Sequence, residues 1–204
     1  MLYPVNLALD HFEIVIIGGG KVAYRKCQNF IQFNKAVTVV APKFIDEFYE
    51  LKNVKLIHDV YQKKYIENSD IVVAATNHSE INQQIGEYCH RHKKLVNVVD
   101  QLALSNYTVP SFVKRGDLLL SISTGGKSPV LAKKIKEELE EKYDDTYVEY
   151  VNLLGEMRQL IMSRYEDQTL KKQLIDQLIT LDLQQLKQTY EAWMNVLETE
   201  IIDS

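Results

Sequence analysis

The sequence predicts an α/β protein whose first half is a parallel sheet covered by helices, followed by a small strand-and-helix segment and then by helices alone. One observation is an apolar run that ends at Ile17 and passes into three glycines. A second is a series of short Val- and Ile-rich runs without alternation, which suit strands buried on both faces. These runs lie at 37–40, 54–57, 71–75 and 95–99. A third is helical leucine spacing from Asp144 onward.

The glycine-rich turn after the first run has the pattern of a pyrophosphate-binding loop. Gly18 permits a tight turn, Gly20 lets the main chain approach phosphates, and Ala23 allows close packing of helix on strand. A helix beginning near Lys21 would direct free N–H groups and its positive dipole end at the anion. A plain tight turn is the alternative. The βα rhythm favours a Rossmann-type, dinucleotide-binding domain.

Composition narrows the class of protein. The chain has 204 residues, of which 46% are hydrophobic and 25% charged, so it can bury a substantial core and still divide into more than one module. Its net charge of -4 argues against a general nucleic-acid binder. No apolar stretch is long enough to span a membrane, and the start at Met1–Pro4 lacks the basic residues of a signal peptide. We expect a cytoplasmic protein with no membrane partner.

The two cysteines predict thiols and not a disulfide. Cys27 and Cys89 fall in predicted helices that follow different strands. We therefore expect reduced, buried or half-buried thiols. Cys89, His90 and His92 superficially resemble metal ligands, but offsets of one and three on a helix do not converge at one point. We expect a basic helix end there and no metal site.

A strand pair and a capped helix are predicted beyond the parallel sheet. The residues 109–112 lead through a turn at Gly116 to the apolar run 118–123. Ser128 is a natural N-cap and Pro129 a natural first helical residue. The preceding glycines resemble a Walker A loop only in part, because Ser121 stands where that motif requires its first glycine. The loop therefore either caps the helix or offers backbone donors to an anionic ligand.

Positive charge concentrates in the same segment although the whole chain is acidic. Such local charge suits a polyanionic small molecule. For Lys133, Lys134 and Lys136 we expect a solvated helix face balanced by glutamates one turn later. The better candidates for binding are Lys114, Arg115 and Lys127.

Three motifs, in order, resemble the precorrin-2 dehydrogenases of sirohaem synthesis. They are Gly18-Gly19-Gly20-x-Val22-Ala23-x-x-Lys26, Asn97-Val98-Val99-Asp100 and the run from Ser123 to Ala132. The match covers roughly residues 1–140 at the family's spacing. The resemblance implies oxidation of precorrin-2, a tetrapyrrole, to sirohydrochlorin with NAD as hydride acceptor. Some relatives also insert ferrous iron, and the sequence leaves that activity open.

The resemblance also implies an architecture. It divides the chain into a Rossmann NAD-binding domain at 1–111, a small α+β dimerisation domain at 112–144 and a helical C-terminal domain at 145–204. It implies a homodimer whose subunits interlock through the middle domain, with the active site near their junction.

Asp100 is the candidate catalytic residue. It ends the apolar run 95–99, and ligands of open α/β sheets bind outside the carboxyl ends of the strands. The resemblance implies that this Asp is catalytic, and we expect it to act as a general base that takes the proton accompanying hydride loss. The alternative is an Asp that merely caps a loop or the next helix.

Cofactor contacts are implied in the glycine turn and after the second strand, at Gly18, Gly20, Lys21, Val22, Pro42 and Lys43. Dinucleotide fingerprints often carry an acidic residue after the second strand, for the ribose hydroxyls. Lys43 stands there instead, and a cation could accept the extra phosphate of NADP. Thr76 and Asn77 follow the fourth strand and should approach the nicotinamide half, unless they form a simple polar turn.

Thr124 matches a position where some relatives carry a hydroxyl residue beside the tetrapyrrole carboxylates, although an ordinary turn residue explains it equally well. Together with the three basic candidates above, Thr124 completes the expected substrate-binding set: Lys114, Arg115, Thr124 and Lys127. Two other classes of function stay open: an NAD-sensing module without chemistry, and a hydroxy-acid dehydrogenase. The second needs a catalytic His or Lys with an Arg clamp, which the helical tail does not offer.

Overall fold

The structure is a computed structural model that describes residues 2–202, with side chains described for 2–196. Two compact units divide the chain, Met1–Val109 and Pro110–Ser204. The second unit contains both the small sheet and the C-terminal helices. The separate domain boundaries at 111/112 and 144/145 stay predictions.

The first unit is built on a parallel sheet, as the sequence predicts. Its five strands lie in the order β3-β2-β1-β4-β5, and every neighbouring pair is parallel. Their bounds are β1 Ile14–Ile17, β2 Val37–Ala41, β3 Val54–His58, β4 Ile71–Ala74 and β5 Leu95–Val98. All residues of β1 and β4 are buried, which explains their unbroken apolar character.

One helix packs on each face of the sheet, and each covers one of the two hydrophobic cores. Helix α1 (Lys21–Ile31) connects β1 to β2, and helix α2 (Ser79–Arg91) connects β4 to β5. Three short 3-10 segments, at Asp46–Glu50, Lys63–Tyr65 and Leu102–Leu104, complete the connections. Ile16 and Val73 pack with α1 on one face, whereas Val15 and Val72 pack with α2 on the other. Alternate strand residues thus supply the two cores.

The two cysteines lie one in each core. Cys27 belongs to α1 and Cys89 to α2, both fully buried and both free thiols, as predicted. Burial raises the pKa of each thiol to about 11. Neither sulfur is therefore poised as a nucleophile at neutral pH.

Strand β5 lies at one edge of the sheet, and side chains complete its outer hydrogen bonds. Asn106 Oδ1 accepts from the Val96 N–H at 2.7 Å, and the Asn106 N–H donates to Val96 O at 3.0 Å. Ser105 Oγ accepts from the Val98 N–H at 2.8 Å. The chain after β5 thus folds back along the strand without forming a sixth strand in this part of the described chain.

The second unit begins with an antiparallel pair, β6 (Ser111–Arg115) and β7 (Leu118–Ile122). Four helices follow: α3 Pro129–Lys142, α4 Thr146–Arg164, α5 Gln168–Leu178 and α6 Leu183–Ile202. The last three share a core of Met157, Ile161, Leu178 and Leu186. No helix in the described part of the chain is both long and apolar enough to cross a membrane.

Helix α3 begins and pairs its charges as the sequence predicts. Ser128 Oγ accepts from the Leu131 N–H at 3.3 Å, and Pro129 is the first helical residue. Three lysines form ion pairs with glutamates one turn later: Lys133 with Glu137 at 3.5 Å, Lys134 with Glu138 at 3.9 Å and Lys136 with Glu140 at 3.3 Å. These lysines therefore belong to a solvated helix face.

Candidate active site

The three consecutive glycines after β1 meet three different surroundings. Gly18 has φ +134°, and a Cβ built on it would lie 2.2 Å from Ala75 O. A Cβ on Gly19 would lie 2.0 Å from Lys43 O. A Cβ on Gly20 would meet no heavy atom within 4 Å. Protein backbone therefore requires glycine at 18 and 19, whereas the space at Gly20 is open for a ligand.

Helix α1 presents its N-terminus to that open space. Gly20 is its N-cap residue, and within the described chain no side chain caps it and no acidic residue occupies the first turn. Lys21 and Val22 are both exposed. Unpaired N–H groups, the positive end of the helix dipole and one cation meet there, which fits a pyrophosphate.

The loop after β2 packs against the glycine turn. The Ile45 N–H donates to Gly19 O at 3.0 Å, and Lys43 O lies close over Gly19. Pro42 and Lys43 are exposed, as a cofactor contact requires. Strand β2 is followed by Pro42 and Lys43 and not by an acidic residue.

The loop after β4 reaches the same edge of the sheet. A Cβ on Gly18 would lie 3.2 Å from Thr76 N, so the turn after β1 and the loop after β4 are in contact. The two strands lie side by side, and the chain departs from them to opposite sides of the sheet. This is the topological switch point, where open α/β sheets bind ligands.

Thr76 is held from within by Asn82, a fully buried residue of α2. The Thr76 N–H and its hydroxyl both donate to Asn82 Oδ1, at 3.1 and 2.8 Å. Asn82 Nδ2 donates to Thr76 O at 3.0 Å. Thr76 is half-buried and Asn77 is exposed, and Thr76 Oγ1 also accepts from the His78 N–H at 3.1 Å within the turn. The role of both residues toward the nicotinamide half stays a prediction.

Asp100 is exposed just beyond the carboxyl end of β5, and it is anchored by the same amide. Asn82 Nδ2 donates to Asp100 Oδ1 at 3.0 Å. The 3-10 helix Leu102–Leu104 has Gln101 in its N-cap position and no side-chain cap among the described residues, so Asp100 does not cap it. An exposed carboxylate with one anchored oxygen can take a proton from a ligand.

Sequence reasoning missed Asn82, although a signal for it exists. The buried residues of α2 include Asn82, Ile85, Gly86 and Cys89, at helical spacing. A polar residue on an otherwise apolar stripe must find hydrogen-bond partners inside the protein. That pattern could have pointed to a network between α2 and its neighbouring loops.

The basic residues of the second unit have different partners. Arg115 is half-buried, and its Nε lies 3.1 Å from the exposed carboxylate of Asp145, an ion pair without hydrogen-bond alignment at Nε. Lys114 is the adjacent residue of β6 and is exposed. Because strand residues alternate, their side chains leave opposite faces of β6. The structure therefore does not bring Lys114 and Arg115 together on one face.

Thr124 and Lys127 lie in the loop before α3. Thr124 Oγ1 accepts from the Ser128 N–H at 3.1 Å, and Thr124 O accepts from the Lys127 N–H at 3.1 Å. Thr124 thus stabilises the turn, and its contact with substrate carboxylates stays a prediction. Lys127 is exposed.

The histidines near Cys89 contact backbone carbonyl groups. His90 Nε2 lies 2.9 Å from Leu104 O, and His92 Nδ1 lies 2.8 Å from Tyr88 O. In the described part of the chain, no group of three or more His, Cys, Asp or Glu side chains is arranged to hold a metal ion.

Fold and site together define an NAD(P)-binding α/β protein with an exposed carboxylate at the ligand-binding edge of its parallel sheet. Residues 5–111 match the family described as Putative NAD(P)-binding, and residues 115–142 match the one described as Sirohaem biosynthesis protein central. The chain belongs to the precorrin-2 dehydrogenase family of sirohaem biosynthesis.

Individual relatives support this membership. The chain is 34% identical to a precorrin-2 dehydrogenase of Priestia megaterium over 182 residues, which cover 87% of this chain and 89% of the relative. It is 30% identical to a siroheme synthase of Pseudoalteromonas translucida over 94% of this chain. A solved structure, SirC, precorrin-2 dehydrogenase, superposes with a TM-score of 0.75 at 29% identity, covering 97% of this chain and all of that one. The alignments span 43% and 44% of the siroheme synthases of Pseudoalteromonas translucida and Xylella fastidiosa.

Proposed function

We propose that this chain is an NAD-dependent oxidoreductase that dehydrogenates precorrin-2 to sirohydrochlorin. One observation carries the proposal: a continuous series of contacts joins the glycine turn to the exposed carboxylate of Asp100. Gly18 contacts Ala75 and Thr76, Thr76 is bonded to Asn82, and Asn82 is bonded to Asp100. A base fixed relative to a dinucleotide turn is what a dehydrogenation needs.

The reaction removes two hydrogens from the substrate in different forms. When bound, the nicotinamide of NAD supplies a hydride acceptor for one hydrogen with its electron pair. The other hydrogen leaves as a proton, and Asp100 is the group proposed to take it and to release it to solvent. Two electrons and one hydrogen thus go to NAD, and one proton goes to the carboxylate, which balances the oxidation.

The residues proposed to hold the cofactor lie on three adjacent loops of the switch point. The open space at Gly20 and the free N-terminus of α1 accommodate the pyrophosphate, with Lys21 and Val22 beside it. Gly18 shapes the turn. Pro42 and Lys43 are proposed for the adenosine half, and Thr76 and Asn77 for the nicotinamide half.

Substrate binding is proposed for the second unit. Precorrin-2 is a polycarboxylate, so cations and hydroxyl groups suit its recognition. We propose Lys114, Arg115, Thr124 and Lys127 for this role within a homodimer assembled through residues 112–144, with a helical domain at 145–204. We also propose that the enzyme is cytoplasmic, in keeping with the expected reduced thiols.

The experiment that tests the function is anaerobic incubation of the purified chain with precorrin-2 and either NAD or NADP. We expect NAD-dependent formation of sirohydrochlorin, with equal amounts of NADH, followed by absorbance. Ferrous iron added afterwards shows whether sirohaem is also formed. Binding of NAD without conversion of precorrin-2 over many equivalents would refute the enzyme and favour an NAD-sensing module.

A further inference from the structure

The contact series behind the proposed function passes through the buried amide of Asn82, but the proposal gives this residue no role of its own. Asn82 is 0% exposed and is the fourth residue of α2. Asparagine is a weak helix former, because its side chain competes for backbone hydrogen bonds. In this position both polar atoms of its side chain have partners outside the helix.

The side-chain hydrogen bonds of Asn82 fall into an accepting half and a donating half. Oδ1 accepts twice, from the Thr76 N–H at 3.1 Å and from the Thr76 hydroxyl at 2.8 Å. Nδ2 donates twice, to Thr76 O at 3.0 Å and to Asp100 Oδ1 at 3.0 Å. Exchanging the amide O and N would set donor against donor and acceptor against acceptor. The network therefore fixes the orientation of the amide.

Asp100 is an exposed carboxylate in the loop after a strand, where a side chain is ordinarily free to rotate. Its contact with a fully buried donor removes that freedom for one oxygen. Because the amide is locked by Thr76, the carboxylate is tied to the loop that contacts the glycine turn. Pre-organisation of this type is what a proton acceptor requires.

We propose that Asn82 is a positioning residue that holds the Asp100 carboxylate in its reactive orientation through the Nδ2 hydrogen bond. This inference rests on the proposed function. The sequence predicted no site residue on α2 itself. The inference assigns to this helix the hydrogen-bond donor that anchors the catalytic carboxylate.

The decisive variant is Asn82→Asp, because it keeps the accepting half of the network and removes the donating half. A carboxylate at 82 keeps both acceptor contacts with Thr76, but it can donate neither to Thr76 O nor to Asp100, and it brings two like charges together. We expect kcat for precorrin-2 to fall about 10- to 100-fold, since small misplacements of reacting groups have effects of this size. The KM for NAD should change by less than about threefold, because the Thr76 loop retains two of its hydrogen bonds.

The matched control is Gln83→Ala on the same turn of α2. Gln83 is exposed and donates to Glu87 Oε1 at 2.8 Å, so its loss should leave both kcat and KM unchanged. If Asn82 served only to shape the Thr76 loop, Asn82→Asp would change the KM for NAD through the lost bond to Thr76 O and would leave kcat at its wild-type value. That result would overturn the inference.

Thermal unfolding supplies a readout that does not depend on activity. Asn82→Asp should lower the Tm by at least about 2–4 °C, the shift that about 1 kcal/mol produces in a chain of this size. If Asp100→Asn is added, the new amide at 100 can donate to the carboxylate at 82. Asn82→Asp should therefore lower the Tm less in the Asp100→Asn background than in the wild-type background. Absence of this rescue would show that the two side chains do not pair, and would overturn the inference.

The outcomes separate the two proposals. A wild-type protein that leaves precorrin-2 unchanged overturns the proposed function and with it the positioning role, even if the Tm rescue demonstrates the contact. Wild-type turnover with an unchanged kcat in Asn82→Asp overturns the positioning role alone.

Discussion

Gly20→Ala tests whether the open space at the glycine turn is where a phosphate lies. Gly20 has φ -94° and ψ -176°, which alanine adopts without strain, and its added methyl would meet no heavy atom within 4 Å. Alanine is a poorer N-cap than glycine, but it also gains roughly 0.4–1 kcal/mol by restricting the unfolded chain. These effects oppose each other, so we expect the Tm to stay within about 2–4 °C of wild type.

The same methyl on Gly19 should give the opposite result and serves as the matched control. It would lie 2.0 Å from Lys43 O and 2.9 Å from Ala41 Cβ, so the β2 loop must move to admit it. We expect a loss of at least about 2 kcal/mol, seen as a Tm decrease of at least about 4 °C.

Binding then distinguishes a phosphate site from an ordinary turn. A methyl at Gly20 would remove close backbone approach, and a hydrogen bond to a charged group contributes about 1.5–3 kcal/mol. Titration calorimetry with NAD should therefore show affinity reduced about 10- to 100-fold in Gly20→Ala. Wild-type affinity in this variant would refute the assignment of the pyrophosphate to this space. A Tm loss equal to that of Gly19→Ala would refute the geometric reasoning itself.

Three further predictions concern the carboxylate, the basic loop and the buried thiols. Asp100→Ala should lower turnover of precorrin-2 by about 10²- to 10⁴-fold with NAD affinity nearly unchanged; a folded variant with normal turnover would return Asp100 to a structural role. Lys127→Gln should raise the KM for precorrin-2 by up to about tenfold and flatten its dependence on salt, whereas Lys133→Gln, which removes a paired lysine, should do neither. Equal salt slopes for both variants would assign Lys127 to the surface. Cys27 and Cys89 should be alkylated about 100-fold more slowly in the native than in the unfolded chain, because burial raises each pKa from 9.0 to about 11. By the same shift, stability should fall as pH rises through that interval, since the unfolded chain releases thiol protons that the folded chain retains; a flat stability profile there would contradict the burial.

The sheet, the glycine turn and the cap of α3 were predictable because each depends on local chemistry. Val-rich runs select buried strands, and Ser128 followed by Pro129 defines a helix start. The ion pairs of Lys133, Lys134 and Lys136 follow from spacing alone. The position of Asp100 at the end of an apolar run marked it as a ligand-facing residue, whereas the family resemblance supplied its proposed catalytic role and the proposed substrate.

Contacts between distant segments were not predictable in the same way. Gly19 received no role from the sequence, yet a carbonyl group 24 positions later, at Lys43, requires it to lack a side chain. Arg115 reads as a free cation, but the fold places Asp145 beside it. Asn82 stands out only as a polar residue on the apolar stripe of α2, and that pattern does not identify its partners. Each depends on which loops meet at one end of a sheet, and a single sequence does not contain that information directly.

The side chains that bond to the outer edge of strand β5 also hinder the addition of another strand to the sheet. Exposed sheet edges recruit further strands, which is the route to domain swapping and to fibrils. On β5 the outward N–H groups of Val96 and Val98 are already taken by Asn106 Oδ1 and Ser105 Oγ. An incoming polypeptide would have to break both bonds before it could add to the sheet. Two small polar side chains on a returning loop thus protect this border against templated growth.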